Sequence, residues 1–161
     1  MDRKENEYGY YIGLVMKSGI GMDHTAAILL TAELERILNM ILKEYFLPNR
    51  RNIRDILSPE GSCGALYAQI ELAYRLGIIT EVIAQDLHII REIRNHFAHG
   101  THEINFESEE LKNKFRKIQL SRPKNGEERT IEIKKTFQDA CYSLIDQLRD
   151  IRKRIKRITT Q

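Results

Sequence analysis

The sequence predicts an all-α fold, a single-domain antiparallel helical bundle, on three observations. Apolar residues recur at three- and four-residue spacing through several long stretches. Period-two alternation of the strand type is almost absent. The residues that break the helical pattern, Pro48, Gly77 and Gly100, fall at the ends of those stretches rather than inside them. A length of 161 residues with 42% hydrophobic content suits one domain with one core, spanning 1–161.

The elements follow in order. Residues 1–22 are ambiguous and are read as a short helix closed by a Gly19-Ile20-Gly21 turn. Asp23 has the character of an N-cap. It introduces a long amphipathic helix with Ala27, Leu30, Leu34, Ile37, Ile41 and Tyr45 on one face, ended by Pro48. Residues 49–61 hold a short basic element and a Ser58-Pro59-Glu60-Gly61 turn. Ser62 is the expected cap of the next helix, which carries Leu66, Ile70, Leu72, Ala73 and Leu76 and stops at Gly77. Thr80 caps the one after it, whose stripe reads Ile83, Leu87, Ile90 and Phe97 up to Gly100. Ile104 and Phe106 suggest a brief extended segment, 108–120 a shorter helix and 121–129 a polar loop. A final basic helix over about 136–158 turns Tyr142 or Cys141, Leu144, Ile145, Leu148, Ile151, Ile155 and Ile158 inward.

Charge excludes little, because 30% charged residues sum to a formal net charge of only +3. The excess is concentrated in the last helix, where Arg149, Arg152, Lys153 and Lys156 form a face that would suit RNA or simply solvent. Cys63 and Cys141 are too few for a disulfide framework and lack metal-type spacing, so both are expected as reduced thiols. No stretch approaches the roughly 20 apolar residues of a membrane span, and the N-terminus does not read as a signal peptide. The expected location is cytoplasmic.

One residue conflicts with its helical position. At about 100° per residue, Arg94 lies within about 40° of the centre line of Ile83, Ile90 and Phe97, where an apolar side chain is expected. A buried guanidinium needs a partner. Glu33, bordered at helical spacing by Leu29, Leu30 and Ile37, is the leading candidate for a structural ion pair with Arg94. Alternatively, Arg94 points into a cleft and holds a phosphate bidentately, which lysine could not copy.

His99 has the same two sides. In a last helical turn it complements the dipole and the free carbonyls. It would also supply acid–base chemistry near neutral pH, taking the proton of an RNA 2′-hydroxyl while a guanidinium offsets charge on the phosphorane, with no metal or cofactor. On a straight helix Arg94 and His99 diverge by about 140°. They converge only if the helix unwinds near Ala98-Gly100 or a second subunit completes the cleft. His88, Glu92, Asn95 and His99 make a separate polar stripe, with His96 and His102 near in sequence, but a solvated face explains it and no metal is expected. A helix-turn-helix is poorly supported, so direct sequence-specific DNA binding is not expected.

The segments 62–79 (SCGALYAQIELAYRLGII) and 86–99 (DLHIIREIRNHFAH) resemble the mannitol-operon repressor (MltR) family, and the helix Ala26 to Leu42 is similar to that family's first helix. The resemblance covers about 24–106 and not 108–161. Arg94-Asn95-x-x-x-His99 also resembles the signature of the HEPN superfamily, small helical bundles that commonly dimerise and include toxin and defence ribonucleases. That resemblance implies a homodimer whose two Arg–His pairs share a groove; His96 departs from its usual pattern. Two functions follow. The first is a homodimeric, metal-independent endoribonuclease in a regulatory, toxin or defence role: Arg94 binds phosphate, His99 is the acid–base, Asn95 orients one of them and the basic helix holds RNA. The second is a non-catalytic MltR-like operon regulator, in which Glu33 and Arg94 are structural and a protein partner carries the function.

Overall fold

The computed structural model describes residues 23–46, 55–99, 108–119 and 133–159, with side chains described for 25–46, 55–99, 108–119 and 135–155. The readings of residues 1–22, the basic element at 49–54, Pro48, Gly100, His102, the Ile104–Phe106 segment and the 121–129 loop lie outside them. So do the side chains of Asp23, Lys156 and Ile158.

The described residues form five helices and no strand: α1 Asp23–Tyr45, α2 Leu66–Arg75, α3 Glu81–His99, α4 Glu109–Phe115 and α5 Ile133–Thr159. α1 is the hub, packed by α5, α3 and α2. That is why its buried face is wider than one stripe. Leu38, Leu42, Ala26 and Thr31 are buried beside the expected Ala27, Leu30, Leu34, Ile37 and Ile41. Tyr45 is exposed instead. Each fully buried aliphatic side chain contributes about 1.5–3 kcal/mol, so α1 and α5 together supply the larger part of the core.

Neighbouring helices pair head to tail. His88 meets Glu71 at 3.1 Å while Arg91 lies over Tyr67, so α2 and α3 are antiparallel. Asp86 holds Gln119 and Glu92 holds Lys114, which makes α3 and α4 antiparallel as well. Glu33 and Glu44 of α1 meet Arg149 and Arg152 of α5 in ascending order. The first and fifth helices therefore run in one sense, as an alternating series of five requires.

The punctuation is local chemistry. Ser58–Gly61 is a turn closed by the Gly61 N–H on the Ser58 carbonyl at 2.8 Å. Ser62 does not cap α2. The helix begins later, with Ala65 in the N-cap position and no side-chain cap, because the chain first closes a further turn from Gly61 to Gly64. Gly64 is fixed there by contact: a Cβ at that position would lie 2.2 Å from the Ser58 carbonyl oxygen. At the other end Gly77 takes φ +69°, and the N–H groups of Gly77 and Ile78 return to the carbonyls of Tyr74 and Ala73. That is a Schellman stop, and it needs glycine. The Thr80 and Ser108 hydroxyls accept the N–H groups of Ile83 and Leu111, each at 3.4 Å, and so start α3 and α4.

On α5 the inward residue is Cys141, and Tyr142 points outward. Phe137 meets Phe115 edge to face at 5.9 Å, tying α4 to α5. Asp86 is fully buried; its carboxylate accepts the Gln119 N–H at 2.9 Å, which pins the end of α4 to α3. No helix among the described residues is long and apolar enough to cross a membrane.

Candidate functional site

The expected ion pair is not formed. Glu33 is 2% exposed, but its partners are Arg36 and Arg149. Arg36, one turn along α1, donates Nε to Oε2 at 2.7 Å and Nη2 to Oε1 at 2.8 Å. Arg149 adds Nη2 to Oε1 at 3.4 Å from α5. The reason is angular: Glu33 leans to the side of α1 that faces α5, whereas α3 packs against another side. Arg94 instead stands by Glu35, with 3.9 Å between Nη2 and Oε2 and 31% of its side chain exposed. That separation is a charge contact and too long for a hydrogen bond. Arg94 is therefore a half-exposed cation at the α1–α3 edge, not a buried member of a core pair.

The other residues of the motif do not gather around it. Asn95 is half-buried and His99 is exposed. α3 is regular through His99, so the unwinding that would bring Arg94 and His99 together is absent from the described part of the helix. Within one chain they remain on different sides.

The basic face of α5 is partly closed. Arg152 is bidentate on Glu44, with Nη2 at 2.8 Å and Nε at 3.0 Å from Oε1, and only 16% of its side chain is exposed. Arg149 is held by Glu33, and Lys153 pairs with Asp150 at 3.0 Å. The side chain of Lys156 lies outside the described residues. The stripe on α3 is similarly divided: His88 bonds Glu71 of α2, and Glu92 accepts Lys114 Nζ at 2.9 Å. The hydrogen bond from Lys114 keeps the Glu92 carboxyl below its ordinary range. No group of three metal-ligating side chains occurs among the described residues.

What the fold does bring together is a surface where α1, α2 and α3 meet. On its α1 side an open groove of about 500 Å³ is lined by Glu35, Arg36, Asn39 and Lys43, and by Asp55 and Gln69 opposite. Asn39 donates to the Leu57 carbonyl at 3.2 Å and Lys43 pairs with Asp55 at 3.5 Å, fixing the 55–64 turns over α1. Gln69 donates Nε2 to the Gly64 carbonyl at 3.1 Å, leaving its own buried Oε1 without a partner. Glu35 is shared between the groove and Arg94.

One turn before Arg94, Arg91 places its guanidinium 5.4 Å from the ring centre of Tyr67, a cation–π distance. Its Nε is buried with no hydrogen-bond acceptor. Such an orphaned donor costs about 1–3 kcal/mol, so the arrangement is not one that stability alone would select. Tyr67 is 54% exposed, the most open large apolar side chain among the described residues. Sequence reading singled out neither residue. The available signal was that Arg91 and Arg94 share a helix side at i, i+3. The further step, that α2 lays an aromatic ring beside them, is a tertiary fact.

No protein-family model matches the chain, and no curated protein does. Among solved structures the chain is similar to MtlR in the X-ray structure of the MtlR–HPr complex from Escherichia coli, with a TM-score of 0.61 at 16% identity. The match covers 92% of this chain and 98% of that one, so the two share a helical fold over nearly their whole lengths.

Proposed function

We propose that the chain is a non-catalytic regulator that acts by binding another protein through the surface where α1, α2 and α3 meet. The observation that carries this reading is that surface itself: a half-exposed arginine, a second arginine stacked on an exposed tyrosine, and an adjoining groove. Tyrosine and arginine are the residue types that dominate protein interfaces. The shared fold with MtlR, which is solved in complex with HPr, supports it and suggests HPr as the first partner to try.

Calorimetric titration of an HPr protein into the full chain tests the proposal. Saturable one-site binding is expected, weakened by Tyr67→Ala or Arg94→Ala. Absence of binding to HPr at millimolar concentration would reject that partner. The competing reading, a homodimeric ribonuclease using Arg94, Asn95 and His99, is addressed by RNA cleavage in EDTA. Cleavage abolished by His99→Ala, in a preparation that sediments as a dimer, would displace the regulator in favour of the enzyme.

A further inference from the structure

α1 turns Glu35, Asn39 and Lys43 along one side of the open groove, with Glu35 and Lys43 about 12 Å apart at the helical rise. The cations of the groove are already matched. Arg36 has Nε and Nη2 on Glu33 and Nη1 on the Met40 sulfur at 2.9 Å, and Lys43 stands by Asp55 at 3.5 Å. Two acceptors are not. Glu35 has only its 3.9 Å contact with Arg94 among the described residues, beyond hydrogen-bond length. Gln69 is 1% exposed, and its Oε1 is buried with no donor. The Gly64 carbonyl can only accept, so it holds the Gln69 amide with Nε2 toward it and leaves the oxygen over. An acceptor left in this way works against stability, and a donor lodged in the groove that Gln69 lines would satisfy it.

Both acceptors belong to one end of the groove. Lys43 meets Asp55 and Asn39 holds the Leu57 carbonyl, so the facing wall runs antiparallel to α1 and carries Ser58 and Pro59 toward Glu35. Gly64 lies against the Ser58 and Pro59 carbonyls, and Gln69 is bonded to Gly64. Met40 and Leu57 add an apolar stretch to the lining.

We infer that this groove is a binding site for a small organic cation that carries N–H donors on an apolar stem, an alkylguanidinium or alkylammonium compound. Its donors reach Gln69 Oε1 and the Glu35 carboxylate, and its stem lies along Met40 and Leu57. The charge of Glu35 selects a cation over a neutral donor. A volume of about 500 Å³ suits a free small molecule. The inference goes beyond the protein-binding reading and does not depend on it.

The test is an NMR titration of the full chain, reading the side-chain amide signals of Gln69. The probes are butylguanidinium, its neutral isostere butylurea, tetramethylammonium (a cation without N–H groups) and the peptide acetyl-Gly-Arg-Gly-amide. Saturable movement by butylguanidinium is expected, with affinity falling about tenfold in Glu35→Gln, a half-exposed position where the fold tolerates the change. Equal movement by butylurea or tetramethylammonium, unchanged affinity in Glu35→Gln, or no saturable movement at millimolar concentration overturns the inference. Tighter saturation by the peptide overturns it too, because the groove would then take a side chain of another protein. HPr binding with no response to butylguanidinium sinks this inference and leaves the regulator reading standing. Butylguanidinium binding without HPr binding supports the groove and rejects that partner.

Discussion

The two faces of α1 treat charge differently. Toward α5, Glu33 is locked between Arg36 and Arg149, and Glu44 holds Arg152 bidentately, so these five charges sit in short-range pairs. Toward α2 and α3, Glu35 and Arg94 stand 3.9 Å apart, and Arg91 lies over the Tyr67 ring. The first pattern is what a packed seam requires, since a buried carboxylate without a cation is heavily penalised. The second is looser, with a longer charge separation and a cation–π contact in place of a bidentate pair. Closed pairs hold the bundle together; the open ones lie on the surface proposed above for a partner.

Substitutions can break or sharpen that contrast. The largest effect belongs to neither face. Phe97→Ala removes a fully buried ring from the core beside α1 and is expected to cost about 3–5 kcal/mol in urea unfolding. Glu33→Ala leaves two arginines without their shared acid, and because both retain some solvent the expected loss is about 2–3 kcal/mol. Arg94→Ala removes only a loose, part-exposed contact and should cost less than about 1 kcal/mol. A cost like that of Glu33→Ala would mean that the junction is structural after all. Smaller still is the Glu92–Lys114 link. The lowered Glu92 carboxyl stabilises the fold above the ordinary carboxylate range, and this contribution fades as pH falls through its depressed value. Lys114→Ala should flatten the acid limb of the pH–stability curve by under about 0.5 kcal/mol, given how exposed the pair is.

The thiols extend the contrast to chemical reactivity. Cys141 is fully buried on α5, and burial pushes its thiol well above the ordinary range, while Cys63 is half-buried in the turn before α2. Pulse labelling with a thiol reagent followed by mass spectrometry should mark Cys63 in the native protein. Cys141 should react only on unfolding. Rapid native labelling of Cys141 would show that the α1–α5 seam opens.

Much of the fold was legible because helical spacing reports which side of a helix is apolar. The α1 stripe through Leu30, Leu34, Ile37 and Ile41 and the α3 stripe through Ile83, Leu87, Ile90 and Phe97 are buried as that spacing implies. The same rule cannot identify the neighbour. Glu33 and Arg94 both carry charge at near-apolar positions, yet each meets a different helix, and only the packing around α1 decides which. Tyr142 and Cys141 differ by one position on α5, so the wheel left either inward; the larger polar ring went to solvent. Ser62 failed as a cap because Gly61 and Gly64 permit an extra turn before α2, a matter of local contact rather than periodicity. Of the candidate site, sequence supplied Arg94. Arg91 and Tyr67 became visible only when α2 and α3 were laid side by side.

The distinction between the two faces of α1 is tested most directly by a pair of double-mutant cycles read in urea unfolding, one on Glu33 and Arg149 and the other on Glu35 and Arg94. The expected coupling is about 1 kcal/mol or more for the first pair and below about 0.5 kcal/mol for the second. Equal couplings, or a stronger one between Glu35 and Arg94, would contradict the assignment of Arg94 to a binding surface.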